Sequence, residues 1–174
     1  ACNLLRNIAK AQRKNLLEWT TTEGMKTVET YHGGTIRPTR DMRHPSGALE
    51  AILQDSGRTI YVMKDLYAYL DDRAVVRRLR DLYESIKRSY KTMVILAPVK
   101  KIPPQLEKAV YYIELPLPDM GMLKRLLKDI IATVRQDKRI KIDLPEELYA
   151  NLANAALGLS LEEAERVFFK SIIR

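Results

Sequence analysis

A carboxylate directly follows a short apolar segment in the middle of the chain. Residues 60–63 read I-Y-V-M, a run of β-forming residues typical of a strand buried on both faces of a parallel sheet, and Lys64 and Asp65 come next. Ligands of open α/β sheets bind at the carboxyl ends of the strands. Nucleotide-hydrolysing enzymes often hold a magnesium ion on an acid at that position. The pattern therefore makes Asp65 a candidate magnesium ligand.

Two more acids, Asp71 and Asp72, follow shortly after Asp65. Paired acids can bind Mg²⁺, so one interpretation is that this chain is an enzyme in its own right, built on these three carboxylates. The other is that Asp71 or Asp72 caps the amino terminus of a long helix, predicted from about residue 73 to 88. We favour the capping interpretation, which leaves no catalytic residue and no metal site in the chain.

A row of arginines lies on that predicted helix. Arg73, Arg77 and Arg80 are spaced i, i+4 and i+7, which places them on one face. The net charge of the chain is +8, and the excess lies in its first two thirds, where a basic helix is also predicted near residues 4–14. Such a face is either solvated or contacts a neighbouring subunit or a polyanion such as nucleic acid.

Histidines and cysteine give no sign of a metal centre. His32 and His44 both fall between residues 24 and 46, a stretch rich in glycine and proline that is predicted to be a long loop. No cysteine or paired acid lies near them, and the glycines at 33–34 lack the Gly-Lys pair of a phosphate-binding loop. The single cysteine, Cys2, excludes an internal disulfide and fits a reducing compartment.

Composition and length indicate one folded domain, with room for a small appendage. The chain has 174 residues, of which 46% are hydrophobic and 30% charged, enough apolar surface for a core. No apolar run approaches the roughly 18 residues that a membrane span needs, and the first residues lack the apolar core of a signal peptide. We therefore expect no membrane partner and a cytoplasmic location.

Periodicity and breakers predict an α/β body followed by helices. The sheet is expected to be parallel, with about four to five strands flanked by helices, and a small helical lid is expected to follow it. A first helix that feeds straight into a strand implies a preceding strand, so a first strand is expected to be absent from this chain. The domains are placed at residues 1–119 and 120–174. Strands are predicted at 16–21, 59–63, 91–97 and 110–115, and helices at 4–14, 47–54, 73–88, 120–136, 143–158 and 160–173.

This order of elements resembles an AAA-type ATPase module, a P-loop NTPase fold. The chain is most similar to a group of AAA ATPases encoded in plastid and cyanobacterial genomes as a conserved reading frame. The phrases that carry the resemblance cover nearly the whole chain: W-T-T-T-E-G-M at 19–25, I-Y-V-M-K-D-L-Y-A-Y-L-D-D at 60–72, V-V-R-R-L-R-D-L at 75–82, I-L-A-P-V-K-K-I-P-P-Q-L-E-K at 95–108 and A-L-G-L-S-L-E-E-A-E-R-V-F at 156–168.

The departures from the family pattern concern the nucleotide-binding parts. A working module needs G-x-x-x-x-G-K-[ST], and these 174 residues contain no Gly-Lys pair. The family's strand-end pair is normally two acids, whereas Lys64 and Asp65 stand there. The next strand ends at residues 96–99, L-A-P-V, without the polar residue that senses the γ-phosphate. The resemblance thus implies degenerate Walker motifs, with no cofactor bound by this chain.

The resemblance also implies how the module is used. Family members pair a degenerate N-terminal module with a complete ATPase module, which holds ATP and Mg²⁺. We expect this chain to be the non-hydrolysing half of a homo-oligomeric ATPase and to serve oligomerisation or regulation in the cytoplasm, or in the plastid stroma if the gene is plastid-encoded. The alternative is a nucleic-acid or polyanion-binding module that uses the face carrying Arg73, Arg77 and Arg80.

Overall fold

The structure is a computed structural model that describes residues 2–33, 40–135 and 145–172. It divides into two units, Ala1–Ile113 and Glu114–Arg174. The first unit contains α1 (Cys2–Gln12), β1 (Asn15–Thr20), β2 (Gly24–Glu29), α2 (Pro45–Gln54), β3 (Thr59–Lys64), α3 (Arg73–Ile86) and β4 (Thr92–Leu96), with short 3-10 turns at Arg40–Arg43, Leu66–Tyr69 and Pro104–Leu106. The second contains α4 (Met120–Arg135), α5 (Glu146–Ala155) and α6 (Leu161–Ile172).

A four-stranded sheet in the order β2-β1-β3-β4 forms the first unit, and its three strands β1, β3 and β4 run parallel. β3 lies between β1 and β4, and its first five residues are buried because helices cover both faces of the sheet. The prediction of an α/β fold with a mainly parallel sheet flanked by helices is confirmed.

The sheet also contains a strand that the sequence analysis missed. Residues 24–46 were expected to form a loop, but β2 pairs antiparallel with β1, with Trp19 opposite Met25. Gly24 begins the strand with a φ of +74°, a conformation that glycine adopts without strain and that closes the hairpin. Three polar residues among the six of β2 hid the strand pattern. The following helix starts at Pro45 rather than at residue 47, and His44 is its N-cap, because His44 Nδ1 accepts from the N–H of Ser46 at 3.3 Å.

The predicted strand at 110–115 is wrong. Within the described residues this segment has no regular secondary structure, and Tyr111 and Ile113 are 95% and 79% exposed. A strand needs the backbone of a neighbour to pair with, and none of the described strands supplies it here. β4 is half-buried along its whole length for a related reason, since it forms the edge of the sheet.

The two faces of the sheet bury separate cores. α2 and α3 cover one face, where Trp19 and Tyr61 are fully buried. α1 covers the other face, where Ala9 packs with Leu16 and Val62. The buried residues of α3 are Val75, Leu79 and Leu82.

The second unit is formed by α4, α5 and α6, and its core contains Leu123, Leu127 and Phe168. A capping box begins α6, since Ser160 Oγ accepts from the N–H of Glu163 and Glu163 Oε2 accepts from the N–H of Ser160. The first residues of the helix predicted at 143–158 lie outside the described residues. Among the helices of the described residues, none has both the length and the apolar character that crossing a membrane requires.

Candidate functional site

The carboxyl end of β3 carries an ion pair. Lys64, the last residue of the strand, places its Nζ 2.6 Å from Oε2 of Glu18 on the parallel neighbour β1. Both side chains are largely covered, with 31% and 16% of their area exposed. The two residues meet because they lie on the same face near the ends of adjacent parallel strands. The hydrogen bond to Glu18 raises the pKa of Lys64, which keeps the ammonium group charged at neutral pH.

Asp65 turns the chain away from the sheet. Its backbone is left-handed, with φ +58° and ψ +20°, a conformation that aspartate adopts more readily than most residues. Its N–H donates to the carbonyl of Leu96 at 3.0 Å, and its own carbonyl accepts from Ala68 at 3.2 Å. Its carboxylate is exposed and caps no backbone group. Backbone hydrogen bonds therefore fix Asp65 in place, while its side chain is left to the solvent.

A groove of about 430 Å³ lies beside the ion pair. Its charged lining residues are mixed in sign: Arg6, Glu18, Glu23, Lys26 and Lys64. Within the described part of the chain, no group of three His, Cys, Asp or Glu residues is placed to hold a metal ion. The Glu18 carboxylate is already paired with an ammonium group, so the residues at this strand end do not fit the magnesium ion that a nucleotide-hydrolysing site uses.

The other two acids near Asp65 have structural partners. Asp72 Oδ1 accepts from the N–H of Ala74 at 2.8 Å and is the N-cap of α3, which confirms the capping interpretation. Asp71 forms an exposed ion pair with Lys101, with Nζ and Oδ2 2.6 Å apart. Asp65, Asp71 and Asp72 are thus not brought together as a set of metal ligands.

The arginine row lines a second groove, of about 550 Å³, between α3 and residues 101–105. Arg73, Arg77 and Arg80 lie along its α3 wall, and Lys101 faces them from the other side. Arg77 is paired with Asp81 at 2.9 Å, and Lys101 with Asp71. Arg73 and Arg80 form no ion pair with any described residue, so the groove presents uncompensated positive charge. On the same helix, Glu84 pairs with Lys87.

Sequence reasoning missed two residues of these sites. Glu18 was seen only as part of a predicted strand, although its place near the end of a strand parallel to β3 was a usable signal. Lys101 gave no local signal, because it follows β4 in a segment without periodicity. Both histidines have structural roles: the side chain of His44 caps α2, and the backbone groups of His32 bind the side chain of Asn15.

Comparisons with known proteins identify the family. The model of the SpoVK-like AAA ATPase N-terminal domain matches residues 1–115, and that of the same family's second domain matches residues 122–174. The ycf46 AAA domain-containing protein of Guillardia theta is 35% identical over 133 residues, 75% of this chain and 25% of its own length. The ycf46 protein of Pyropia yezoensis is 32% identical over 132 residues, again 75% of this chain and 26% of its own length.

The chain spans about a quarter of the length of these curated relatives. The two family matches lie in the two units of the structure, one on the α/β sheet and one on the helical unit. The resemblance to an N-terminal module of the plastid and cyanobacterial AAA ATPases is thereby confirmed. The chain belongs to the SpoVK-like AAA ATPase family, and residues 1–115 are its N-terminal domain.

Proposed function

We propose that this chain is a non-hydrolysing AAA-like module that serves the oligomerisation or regulation of an ATPase module elsewhere in the parent protein. One observation carries the proposal: the ion pair between Lys64 and Glu18 at the carboxyl end of the central strand. At the position where a magnesium-binding site presents free acids, this chain presents a lysine that is already bound to its neighbour.

Electrostatics make that strand end unsuitable for a metal nucleotide. Two unit charges 4 Å apart near a protein surface interact by about 4 kcal/mol, and a divalent ion beside an ammonium group is repelled in proportion to its charge. Glu18 would also have to leave Lys64, which would leave two partly covered charges without partners. Asp65 would remain as a single exposed carboxylate. These costs support a module that binds no Mg²⁺–ATP. We expect Mg²⁺ and ATP to bind in the ATPase module of the parent protein instead.

The part of the module that is retained favours a role in assembly. The sheet, the flanking helices and the separate helical unit are intact as folded bodies, with buried cores around Trp19 and Phe168. The relatives are about four times longer than the matched region, which leaves room for a catalytic module in the parent. We expect the module to pack against that ATPase module within a homo-oligomer.

A phosphate-release assay on the purified chain with Mg²⁺ and ATP tests the catalytic half of the proposal. The expected result is a rate equal to the buffer blank for both the parent chain and Asp65→Asn. Turnover by the parent chain that disappears in Asp65→Asn would show that Asp65 acts on the nucleotide and would refute the proposal.

Mixing experiments test the assembly half. The chain is added to the separately expressed ATPase module of the parent, and sedimentation velocity and ATP turnover are followed. The proposal expects a larger species, a changed turnover rate, or both. Unchanged sedimentation together with unchanged turnover across a concentration series would contradict a role in oligomerisation or regulation.

The groove beside α3 supports a second candidate function, the binding of a polyanion such as nucleic acid. The observation in its favour is that Arg73 and Arg80 line the groove without an acidic partner among the described residues, with Arg77 and Lys101 beside them. Phosphates bound by such a cluster release counterions, so the affinity should fall steeply with salt.

A gel-shift series at increasing salt tests this candidate. Neutralising the row with Arg73→Ala, Arg77→Ala and Arg80→Ala should abolish a salt-sensitive shift. The matched control removes the same charge from exposed positions of α4 with Lys124→Ala, Arg125→Ala and Lys128→Ala, and should keep the shift. Equal loss in both triple variants would indicate a general charge effect and exclude the groove as the binding site.

A further inference from the structure

The amino ends of the three parallel strands each follow a cation. Lys14, Arg58 and Lys91 are the residues directly before β1, β3 and β4. Because these strands are parallel neighbours, the three positions lie side by side at one edge of the sheet, which we call the amino edge. It is the edge opposite to the one where Lys64 ends β3. Positive charge is thus collected at a part of the molecule that the sites described above do not use.

Two of these three cations have neutral partners only. Lys14 Nζ donates to the hydroxyl of Thr92 at 3.2 Å, and the guanidinium of Arg58 lies 4.8 Å from the ring centre of Tyr90. Neither cation forms an ion pair with a described residue. Burial and the charge of nearby Arg58 lower the pKa of Lys14, as expected for two cations held close together. Lys91 differs, because its Nζ is buried on the carbonyls at the end of α2.

Helix ends compensate only part of this charge. α1, α2 and α3 each end just before one of the three strands, and a helix C-terminus carries about −0.5 charge, so the three ends together supply about −1.5. The exposed residues Arg13 and Arg88 add to the three cations above, and the acids of the adjoining loop and strand end are Asp55 and Glu29. About 1.5 positive charges therefore remain uncompensated at the amino edge, which favours an anionic partner.

A tyrosine lies at each end of this row of cations. Tyr90 comes before β4 and is 67% exposed. Tyr31 follows β2, is 37% exposed, and is held beside β1 because its N–H donates to Asn15 Oδ1. The order across the sheet is therefore Tyr31, Lys14, Arg58 and Tyr90, and with strands about 4.8 Å apart this row spans about 15 Å. Exposed aromatic rings beside cations are typical of surfaces that bind single-stranded nucleic acid.

We propose that the amino edge of the sheet binds a single-stranded nucleic acid, with backbone phosphates on Lys14 and Arg58 and a base stacked on Tyr90. A single strand fits because its unpaired bases expose a face to the tyrosine ring, whereas the bases of a duplex are stacked on one another. An acidic peptide would use the cations but not the exposed rings. None of these residues lines the groove beside α3, so the proposal is independent of that groove.

Fluorescence anisotropy with a labelled oligothymidine of about 20 nucleotides tests the proposal on the 174-residue chain. We expect saturable binding. If Arg13, Lys14, Arg58 and Arg88 each neutralise one phosphate, the affinity should fall about 50-fold between about 50 and 200 mM salt. No binding at the lower salt concentration would overturn the proposal. Displacement of the oligonucleotide by polyglutamate at an equal concentration of charge would also overturn it, because an acidic peptide would then fit the surface equally well.

Variants at the amino edge make the assignment specific. Tyr90→Leu should bind the oligothymidine about tenfold more weakly, whereas Tyr90→Phe, which keeps the ring, should bind like the parent. Lys14→Gln combined with Arg58→Gln should weaken binding and flatten its salt dependence. Lys124→Gln combined with Lys128→Gln on α4 removes the same charge and should change neither.

Two results would contradict this assignment. Equal losses in the two double variants would show a general effect of charge. Unchanged affinity in Tyr90→Leu would show that no base stacks on the ring, and this variant keeps the test decisive whatever the stability of the double variants, because Tyr90 is exposed and its replacement leaves the core intact.

Discussion

Lys91 is a buried lysine whose removal should destabilise the first unit strongly. It lies just before β4 with only 6% of its area exposed. Its Nζ donates to the carbonyls of Ile52, Leu53 and Asp55, at 3.0, 3.2 and 2.8 Å. These carbonyls lie at the C-terminal end of α2, where backbone oxygens lack partners within the helix and positive charge is favourable.

The expected cost of Lys91→Met follows from these contacts. A hydrogen bond from a charged donor contributes about 1.5–3 kcal/mol net, and a buried carbonyl left without a donor costs about 1–3 kcal/mol. Burial lowers the pKa of Lys91, which means that keeping the ammonium group out of water offsets part of the gain. We therefore expect the free energy of unfolding to fall by about 3 kcal/mol, and the melting temperature by roughly 10 °C.

The measurement is urea denaturation followed by the fluorescence of Trp19, the only tryptophan and a fully buried residue of this unit. Lys108→Met is the matched control, since Lys108 is exposed and its side chain should contribute less than about 0.5 kcal/mol. A loss in Lys91→Met no larger than that of the control would refute the reasoning that Lys91 holds the end of α2.

Three further predictions concern the cores of the two units. Burial and the hydrogen bond that the Tyr61 hydroxyl donates to Asp55 raise the pKa of Tyr61 above the ordinary value of about 10, so the unfolded chain releases this proton first as the pH rises. Above pH 10 the free energy of unfolding of the parent should therefore fall by up to about 1.4 kcal/mol per pH unit relative to that of Tyr61→Phe. Parallel pH profiles of the two proteins would contradict this. Asn15→Ala should lower the free energy of unfolding by about 2 kcal/mol and speed amide exchange at Tyr31 and His32, because their N–H groups donate to Asn15 Oδ1 at 2.7 and 2.9 Å. Unchanged exchange at both amides would show that Asn15 does not hold this segment in place. Phe168→Ala should lower the free energy of unfolding of the helical unit by about 4 kcal/mol, measured from unfolding curves followed by circular dichroism. An equal shift of the unfolding transition followed by Trp19 fluorescence would contradict a separate domain at 120–174.

Elements with strong local signals could be predicted from the sequence. β3 follows from a run of apolar β-forming residues, and α3 follows from its 3.6-residue period and the Asp72 cap. The capping box of Ser160 and Glu163 is likewise a local pattern that needs no tertiary partner. In each case the residues that specify the element lie within it.

Elements that depend on distant partners could not be predicted in this way. β2 has three polar residues among its six and is a strand because it pairs with β1. Residues 110–115 have strand propensity but no described neighbour with which to pair, so the same propensity gave a wrong prediction there. Polar contacts depend on sheet order in the same manner.

The candidate site illustrates that dependence. Lys64 and Asp65 were identified from their place after an apolar run, which is a local observation. The partner of Lys64, Glu18, is 46 residues away and comes into reach only because β1 and β3 are parallel neighbours with Glu18 in register with Val62. The groove beside α3 likewise needs Lys101, which the topology brings opposite the arginine row.

A magnesium titration followed by NMR tests the central claim most directly. The claim is that the Lys64–Glu18 pair leaves the end of β3 unable to hold a metal ion. Millimolar Mg²⁺ should leave the Asp65 signals of the parent chain unchanged, while Lys64→Asp, which creates two adjacent acids, should gain a saturable shift at residues 64 and 65 that the control Lys26→Asp does not show. A saturable perturbation of Asp65 in the parent chain would contradict the claim.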